Sequence, residues 1–333
     1  MNIDKRRLIG IVEKFSEKKI AVWGDFILDE YLYGTTRRIS REAPVLILSY
    51  RNKEYSLGGA GNSVLNLKEL GASPIPIGII GKDEEGERIF QILKRKKIPT
   101  EYIFKEKNYL TPVKTRILAG EETTRKQQIL RIDKEGKVPD EEGLKQKMWS
   151  SLKSLQNELN ALLISDYNYF TVKKDLFDRI LPEYKKAKVP VTLDSRFRLL
   201  EFKGVTTSTP NEPEVEWCLR KEIGGNQSLV EGAGMELLKK TRASSVLITR
   251  GSKGMILFVK NRPPYPIPIC GSTDIVDVTG AGDTVISVFT LSLACGSSFE
   301  EAAHLSNFAG GIVVMKKGTA TLTTKELKEA ILS

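Results

Sequence analysis

The residues of this chain best suited to chemistry gather around one turn. In the stretch DVTGAGD, Asp277 to Asp283, three small residues precede an aspartate and a long apolar run. Gly280, Ala281 and Gly282 could present three successive backbone N–H groups where a helix starts, an anion-binding nest reinforced by the helix dipole. Asp283 then falls in the first helical turn, where a carboxylate beside a bound phosphate can accept a proton from an attacking hydroxyl. Those groups suit phosphoryl transfer, which asks for positioning, charge neutralisation and the removal of one proton. A plainer reading stays open: a glycine-rich helix entry whose acid only complements the dipole. A second glycine cluster, GGAGN from Gly58 to Asn62, also opens a helical pattern. It begins as G-x-G, but Val64 stands where a dinucleotide fingerprint has its third glycine, and no Walker G-K-[S/T] follows. Two glycine-opened helices far apart in sequence suit two converging ligands.

Other chemistries are poorly supplied. His304 is the sole histidine among 333 residues, which disfavours histidine-based metal sites and a Ser-His-Asp triad. It lies within EEAAHLSNFAG and reads as packing. Cys218, Cys270 and Cys295 are isolated, with no C-x-x-C, which suits a reducing compartment and a cytoplasmic location. The formal charge is +10, from 52 Lys and Arg against 42 Asp and Glu. The basic residues stand beside acids, as in KDEEGERIFQILKRKK, without basic-aromatic interleaving. That pattern favours an anionic small substrate over nucleic acid. No apolar run reaches the roughly 18 residues of a membrane span, and MNIDKRRLIGIVEKF has no apolar signal core, so no membrane partner is expected.

The elements that must position these residues alternate. A strand at Lys19–Trp23 ends at Gly24-Asp25. A helix opens at Gly58, PIPIGII from Pro74 to Ile80 reads as a short buried strand, and EEGERIFQILKRKK as a helix. Beyond Asp140 a helix leads to strand ALLISD, then helix, strand VPVTLD, helix and strand SVLITR. Such alternation predicts a doubly wound α/β fold, a mainly parallel sheet with helices on both faces. Two strand-rich patches with alternating polarity interrupt the first part, at about 33–56 and 102–132, and predict a small β-sheet lid. Gly120 suggests a hairpin in the second patch. From Asp283 onward the pattern is mostly helical.

With these stretches in view, the chain resembles the ribokinase-like (PfkB) carbohydrate kinases. DVTGAGD is similar to the signature around their catalytic base, GGAGN to their N-terminal sugar-binding signature, and GDFILDEY to the strand end whose aspartates hold sugar hydroxyls. The three occur in the expected order and span nearly the whole chain. YLYGTTRRISREAPVLIL, KTRIL, KQQILRID, LISDY, TPNEPE and VVMKKGT further resemble the members that phosphorylate D-glycero-β-D-manno-heptose 7-phosphate. The G-x-F-D-x-x-H-x-G-H type of motif that marks the nucleotidyltransferase half of the bifunctional versions has no match. One kinase domain over 1–333, without a nucleotidyltransferase domain, is therefore expected. One departure stands out: DSRF, Asp194 to Phe197, replaces an Asp-Pro-Lys-Gly stretch, with Arg196 keeping the positive charge.

The resemblance implies roles. Asp283 is the base, and Gly280, Ala281 and Gly282 form the anion hole. Asp25, Asp29, Gly58, Gly59, Asn62 and Asp166 serve the sugar, although Asp29 also reads as a cap at a lid hinge. Asn211, Glu212 and Glu214, in NEPE, serve the nucleotide side, and Asn211 and Glu214 act through water on Mg²⁺. A helix N-cap is the competing reading for Asn211. Thr249, Gly251 and Gly254 form a nucleotide-side loop or a plain hairpin between Ile248 and Met255, and Asn307 lines an adenine pocket or packs a helix. A sugar phosphate asks for charged donors, and Lys114, Arg116, Arg125 and Arg131 in the lid supply them; solvated edge charges are the alternative. ATP and Mg²⁺ are the implied cofactors, a phosphorylated sugar the substrate, and a homodimer through the lid the assembly.

Overall fold

A computed structural model of the protein describes residues 4–120, 126–271 and 275–333. Strand β1 (Lys19–Gly24) lies inside the main sheet because it is apolar on both sides. Ile20 and Val22 point into one helical layer, Ala21 and Trp23 into the other. The chain begins with helix α1 (Lys5–Glu13), and β1 leads directly into two long strands, β2 (Phe26–Ile39) and β3 (Leu46–Gly59). It returns through α2 (Ala60–Glu69), β4 (Ser73–Gly81), α3 (Glu84–Arg95) and β5 (Ile103–Glu106). A second excursion follows, β6 (Val113–Gly120) and β7 (Gln127–Lys134). Regular alternation resumes with α4 (Glu142–Leu155), β8 (Ala161–Asp166), α5 (Lys174–Lys186), β9 (Val191–Ser195), β10 (Thr207–Ser208), α6 (Glu212–Leu219) and α7 (Gln227–Thr241). Then come β11 (Ser245–Thr249), β12 (Met255–Val259), β13 (Tyr265–Ile267) and the helices α8 (Ala281–Ala294), α9 (Phe299–Val313) and α10 (Thr324–Leu332).

Nine strands form the main sheet, in the order β13-β12-β11-β10-β9-β8-β1-β4-β5. Pairing is parallel from β5 to β11, and the last two strands are antiparallel. One face is covered by α1, α2, α8, α9 and α10, through Leu8, Val64, Ile286, Leu305 and Leu327. The opposite face is covered by α4, α5, α6 and α7, through Leu152, Phe177, Val215 and Leu237. This is the doubly wound, mainly parallel arrangement that the alternation predicts. No helix among the described residues is long and apolar enough to cross a membrane.

The second sheet has four strands, ordered β3-β2-β6-β7. Its extent corrects the predicted lid, placed at about 33–56 and 102–132. β2 enters the sheet at Phe26, and β5 belongs to the main sheet, where it pairs in parallel with β4. The reason is burial: Ile103 joins the core beside α3, so a short stretch that reads as lid is the edge strand of a β-α-β unit. β6 and β7 pair antiparallel around Gly120 as predicted. Arg125 lies outside the described residues.

Only Asp25 separates β1 from β2. Its N–H donates to the Ser165 carbonyl at 3.0 Å, and its carbonyl accepts from Ala60 at 3.0 Å, so both crossings between the sheets meet at one point. β11 and β12 are antiparallel neighbours joined by a 3₁₀ turn at Gly251–Lys253. His304 packs on α9, its Nε2 3.1 Å from the Tyr265 hydroxyl.

Candidate active site

A cavity of about 740 Å³ opens where the second sheet faces the carboxyl ends of the main strands and the start of α8. That is where open α/β sheets bind ligands. Gly280 turns the chain into α8 with φ 77° and ψ 4°, a left-handed conformation open to glycine. A Cβ there would lie 2.4 Å from Asn62 Nδ2. The N–H groups of Gly280, Gly282 and Asp283 make no hydrogen bond among the described residues and belong to residues of the cavity wall. The predicted nest needs one correction. The Ala281 N–H donates to the Val278 carbonyl at 3.2 Å, so the Asp283 N–H stands in its place.

Asp283 is buried, and both its oxygens are engaged. Asn62 Nδ2 donates to Oδ2 at 2.9 Å and the Tyr167 hydroxyl to Oδ1 at 3.0 Å. Burial pushes the Asp283 carboxyl up to about 6, against the lowering effect of these two donors. The helices behind it are tied by amides: Asn66 Nδ2 donates to Asn62 Oδ1 at 3.2 Å, and Thr284 Oγ1 to Asn66 Oδ1 at 3.1 Å. Asp277, at the head of the turn, accepts from the N–H groups of Thr279 and Gly318, each at 2.9 Å.

On the second-sheet side the wall holds Asp29, Gly58, Gly59, Lys114, Arg116 and Arg131. Strand alternation puts Lys114 and Arg116 on one face of β6, and the register sets them beside Asp29 and Tyr31 of β2. Arg116 Nη1 is ion-paired and hydrogen-bonded to Asp29 Oδ1. Burial still holds the Asp29 carboxyl above its ordinary value. A side chain at Gly58 would meet Asp29 Oδ2 at 2.5 Å, so the bare strand leaves that carboxylate its place. Lys114 has no carboxylate within ion-pair distance among the described residues; its Nζ sits 4.8 Å from the Tyr167 ring centroid. Burial, then the nearby Arg196, lower its affinity for a proton.

Across the cavity lie Asn211, Glu212, Glu214, Thr249, Gly251, Gly254 and Asn307. Asn211 is also the N-cap of α6, in a capping box: its Oδ1 accepts from the Glu214 N–H at 2.9 Å, and Glu214 Oε2 accepts from the Asn211 N–H at 3.0 Å. The cap and the cavity position coexist, because Glu214 Oε1 makes no hydrogen bond among the described residues. Burial pushes the Glu214 carboxyl up to about 7. Glu212 is held by Arg250. Thr249, Gly251 and Gly254 are both a hairpin turn and cavity wall. Asn307 donates to the Pro268 carbonyl at 2.8 Å, which fixes its amide at the wall.

Three predicted sugar residues sit elsewhere. Asp25 is fully buried and its carboxylate is filled by backbone: Oδ2 accepts from Tyr167 and Tyr169 at 2.8 and 3.0 Å, Oδ1 from Thr171 at 3.0 Å. It anchors the loop after β8. Asp166 is buried against Ser195 Oγ at 2.7 Å and Arg198 at 3.6 Å and does not reach the cavity. Burial, then the neighbouring Asp25, push it up to about 6. Asn62 faces Asp283 and Gly280 rather than the cavity. Among the wall residues not assigned from sequence are Tyr167 and Asp194. Burial, then the charges of Glu214 and Asp283, push the Asp194 carboxyl well above its ordinary value. Both residues stand at the carboxyl ends of strands, β8 and β9, and that position was the available signal.

Residues 17–326 match the model of the pfkB family of carbohydrate kinases. The chain is 37% identical over 319 residues to the bifunctional protein HldE of Haemophilus influenzae, covering 96% of this chain and 64% of that protein. It is 33% identical over 330 residues to the bifunctional protein HldE of Pelobacter propionicus, covering 99% and 66%. It thus spans about two thirds of the length of these relatives. Arabidopsis thaliana ribokinase complexed with ribose and ATP superposes with a TM-score of 0.71 at 20% identity, over 94% of this chain and 98% of that one. Escherichia coli phosphofructokinase-2 in complex with fructose-6-phosphate gives 0.72 at 17% identity, over 95% and 98%. At these identities the structural likeness carries the fold, which is ribokinase-like. The chain belongs to the PfkB family of carbohydrate kinases, phosphotransferases that act on an alcohol group of a sugar.

Proposed function

We propose that the protein uses ATP and Mg²⁺ to phosphorylate D-glycero-β-D-manno-heptose 7-phosphate at its anomeric hydroxyl, giving the 1,7-bisphosphate, in ADP-heptose synthesis for the lipopolysaccharide core. The observation that carries the reading is one cavity with two anion-directed ends. The free N–H groups of Gly280, Gly282 and Asp283 mark one, and Lys114, which pairs with no carboxylate among the described residues, marks the other, beside Arg131, whose guanidinium is held by Asp133. A sugar bearing a phosphate remote from its reacting hydroxyl uses both. The similarity to two HldE proteins points the same way.

ATP supplies the phosphoryl group, and Mg²⁺ offsets the charge of its phosphates. Glu214 and Asp194, oxygen donors on the same wall, would hold that ion through its water shell. Asp283 takes the proton of the sugar hydroxyl as that oxygen bonds to phosphorus and the bridging P–O bond breaks. The N–H groups of Gly280, Gly282 and Asp283 receive the charge on the transferred oxygens. Asp29, Gly58 and Gly59 hold the sugar, and Arg116 keeps Asp29 in place. Thr249, Gly251, Gly254 and Asn307 flank the nucleotide. The second sheet exposes Ile39, Leu46, Tyr50, Leu130 and Ile132, an apolar surface suited to a homodimer through the lid.

The test is a substrate panel with ATP and Mg²⁺: heptose 7-phosphate, fructose 6-phosphate, ribose and adenosine. The heptose phosphate is expected to give the highest kcat/KM, and Asp283→Asn to cut kcat by about 10² to 10⁴-fold with nucleotide binding retained. A preference for ribose or adenosine would discard the phosphosugar reading. An Asp283→Asn variant within threefold of the parent kcat would discard the base.

A further inference from the structure

Among the described residues, Asp283 is the only carboxylate of the cavity wall whose two oxygens are held by two different elements, α2 through Asn62 and the loop after β8 through Tyr167. Tyr167 is itself unusually constrained. Its N–H donates to the fully buried Asp25 at 2.8 Å. One edge of its ring lies against Gly59, where an added Cβ would come within 3.3 Å of Cδ2. The Lys114 ammonium covers the ring at 4.8 Å from its centroid. The phenol therefore has a fixed address, and its one hydrogen bond goes to Asp283. We propose that Tyr167 is a positioning residue for phosphoryl transfer, one that holds the Asp283 carboxylate in its proton-accepting orientation and form. The proposal rests on Asp283 being the base.

The direction of the effect follows from the chemistry of the pair. A phenol O–H bonds more strongly to an ionised carboxylate than to the neutral acid, so it favours the charged form. Burial works in the opposite sense on Asp283. The other groups that act on it are few. Asp29 of β2 opposes ionisation and Lys114 of β6 favours it, while Asp194 of β9 and Glu214 of α6 are acids on the same wall. Arg196 faces Lys114 and Asp194. Tyr167 remains a donor throughout the working range, because burial and the Asp283 charge hold its own hydroxyl well above the usual tyrosine value. Without the phenol, burial of Asp283 is opposed by Asn62 and Lys114 alone, and its acid form persists to higher pH.

The test is Tyr167→Phe, which keeps the ring between Gly59 and Lys114 and removes only the hydroxyl. The acid limb of kcat/KM is expected to move upward from its parent position by about one pH unit, the scale of one hydrogen bond to a charged group. At pH 6.5 the loss of rate is then several-fold, and it narrows as pH rises. KM for ATP stays near the parent value. A ¹³C titration of the Asp283 carboxyl, assigned against Asp283→Asn, reads the same shift without turnover. It therefore separates failure of this inference from failure of the base assignment. Tyr167→3-fluorotyrosine, a stronger donor, is expected to move the midpoint down and serves if the phenylalanine variant folds poorly. A midpoint that does not move in a folded Tyr167→Phe protein, or that moves upward with 3-fluorotyrosine, overturns the proposal.

Discussion

Arg116→Ala tests the structure most severely, because its effect is on stability before it is on binding. Arg116 and Asp29 form an ion pair with little solvent around either, side-chain exposure being 10% and 3%. Removing one partner of a buried pair leaves an uncompensated charge and costs about 3 to 5 kcal/mol. Lys114 and Arg131 also act on Asp29 and relieve part of the deficit, which points to the lower end of that range. At roughly 2 °C per kcal/mol for a large domain, the melting temperature should fall by about 6 °C. The pH dependence has a definite sign. Burial raises the Asp29 carboxyl above its unfolded value, and losing the guanidinium raises it further, so the folded state binds the extra proton and stability falls as pH rises. The deficit should shrink as pH is lowered toward 4. Asp29→Leu combined with Arg116→Met should recover most of the stability, since a buried pair replaced by apolar groups is often neutral or better, and it should not recover turnover. Thermal melts from pH 4 to 8, with steady-state kinetics on the same samples, decide the matter. A loss under about 1 kcal/mol, independent of pH, would refute the reasoning.

The glycines of the turn should separate cleanly. Gly282→Ala meets nothing within 4 Å, so its melting temperature should hold or rise slightly while kcat falls, because the methyl is added beside the free N–H groups. Gly280→Ala must keep φ 77° and would press on Asn62, so it should lose about 1 to 3 kcal/mol of stability as well as activity. Asp25→Asn should destabilise by about 1 to 3 kcal/mol in equilibrium unfolding, since an amide cannot accept from all three N–H groups; unchanged stability would return Asp25 to a contact role.

Much of this was legible in the chain itself. The alternation of apolar strands and helices after Asp140 specified the doubly wound core, because strands buried on both faces leave near-continuous apolar runs. The Gly-Ala-Gly-Asp turn pointed to the cavity wall at the start of α8, because few other demands put two glycines before a helix. What failed to show was tertiary. Asp25 and Asp29 lie four residues apart on one stretch and look alike in sequence. Only the loop returning after β8 reveals that one is filled by backbone N–H groups while the other stays in the wall. Ala281 and Asp283 exchange places in the nest through a single carbonyl, Val278, whose reach depends on the turn angle. Ile103 to Glu106 reads as an exposed strand until α3 is packed over it. Tyr167 carried a positional signal, its place just past the end of β8, but nothing in its type distinguishes a phenol aimed at a buried carboxylate from one in a core.

The single-residue crossing at Asp25 makes the second sheet a lever with its fulcrum behind the cavity. β2 leaves that point and runs to Ile39, 14 residues away by numbering, while Asp29 is only 4 away. At about 3.3 Å per residue these are arms of roughly 46 and 13 Å. A tilt that carries the outer tip through about 7 Å therefore moves Asp29 by about 2 Å. Anything gripping the tip, a second subunit included, acts on the Asp29 wall of the cavity through a reduction of roughly 3.5 to one, trading a broad motion outside for a fine adjustment where ångströms decide the rate.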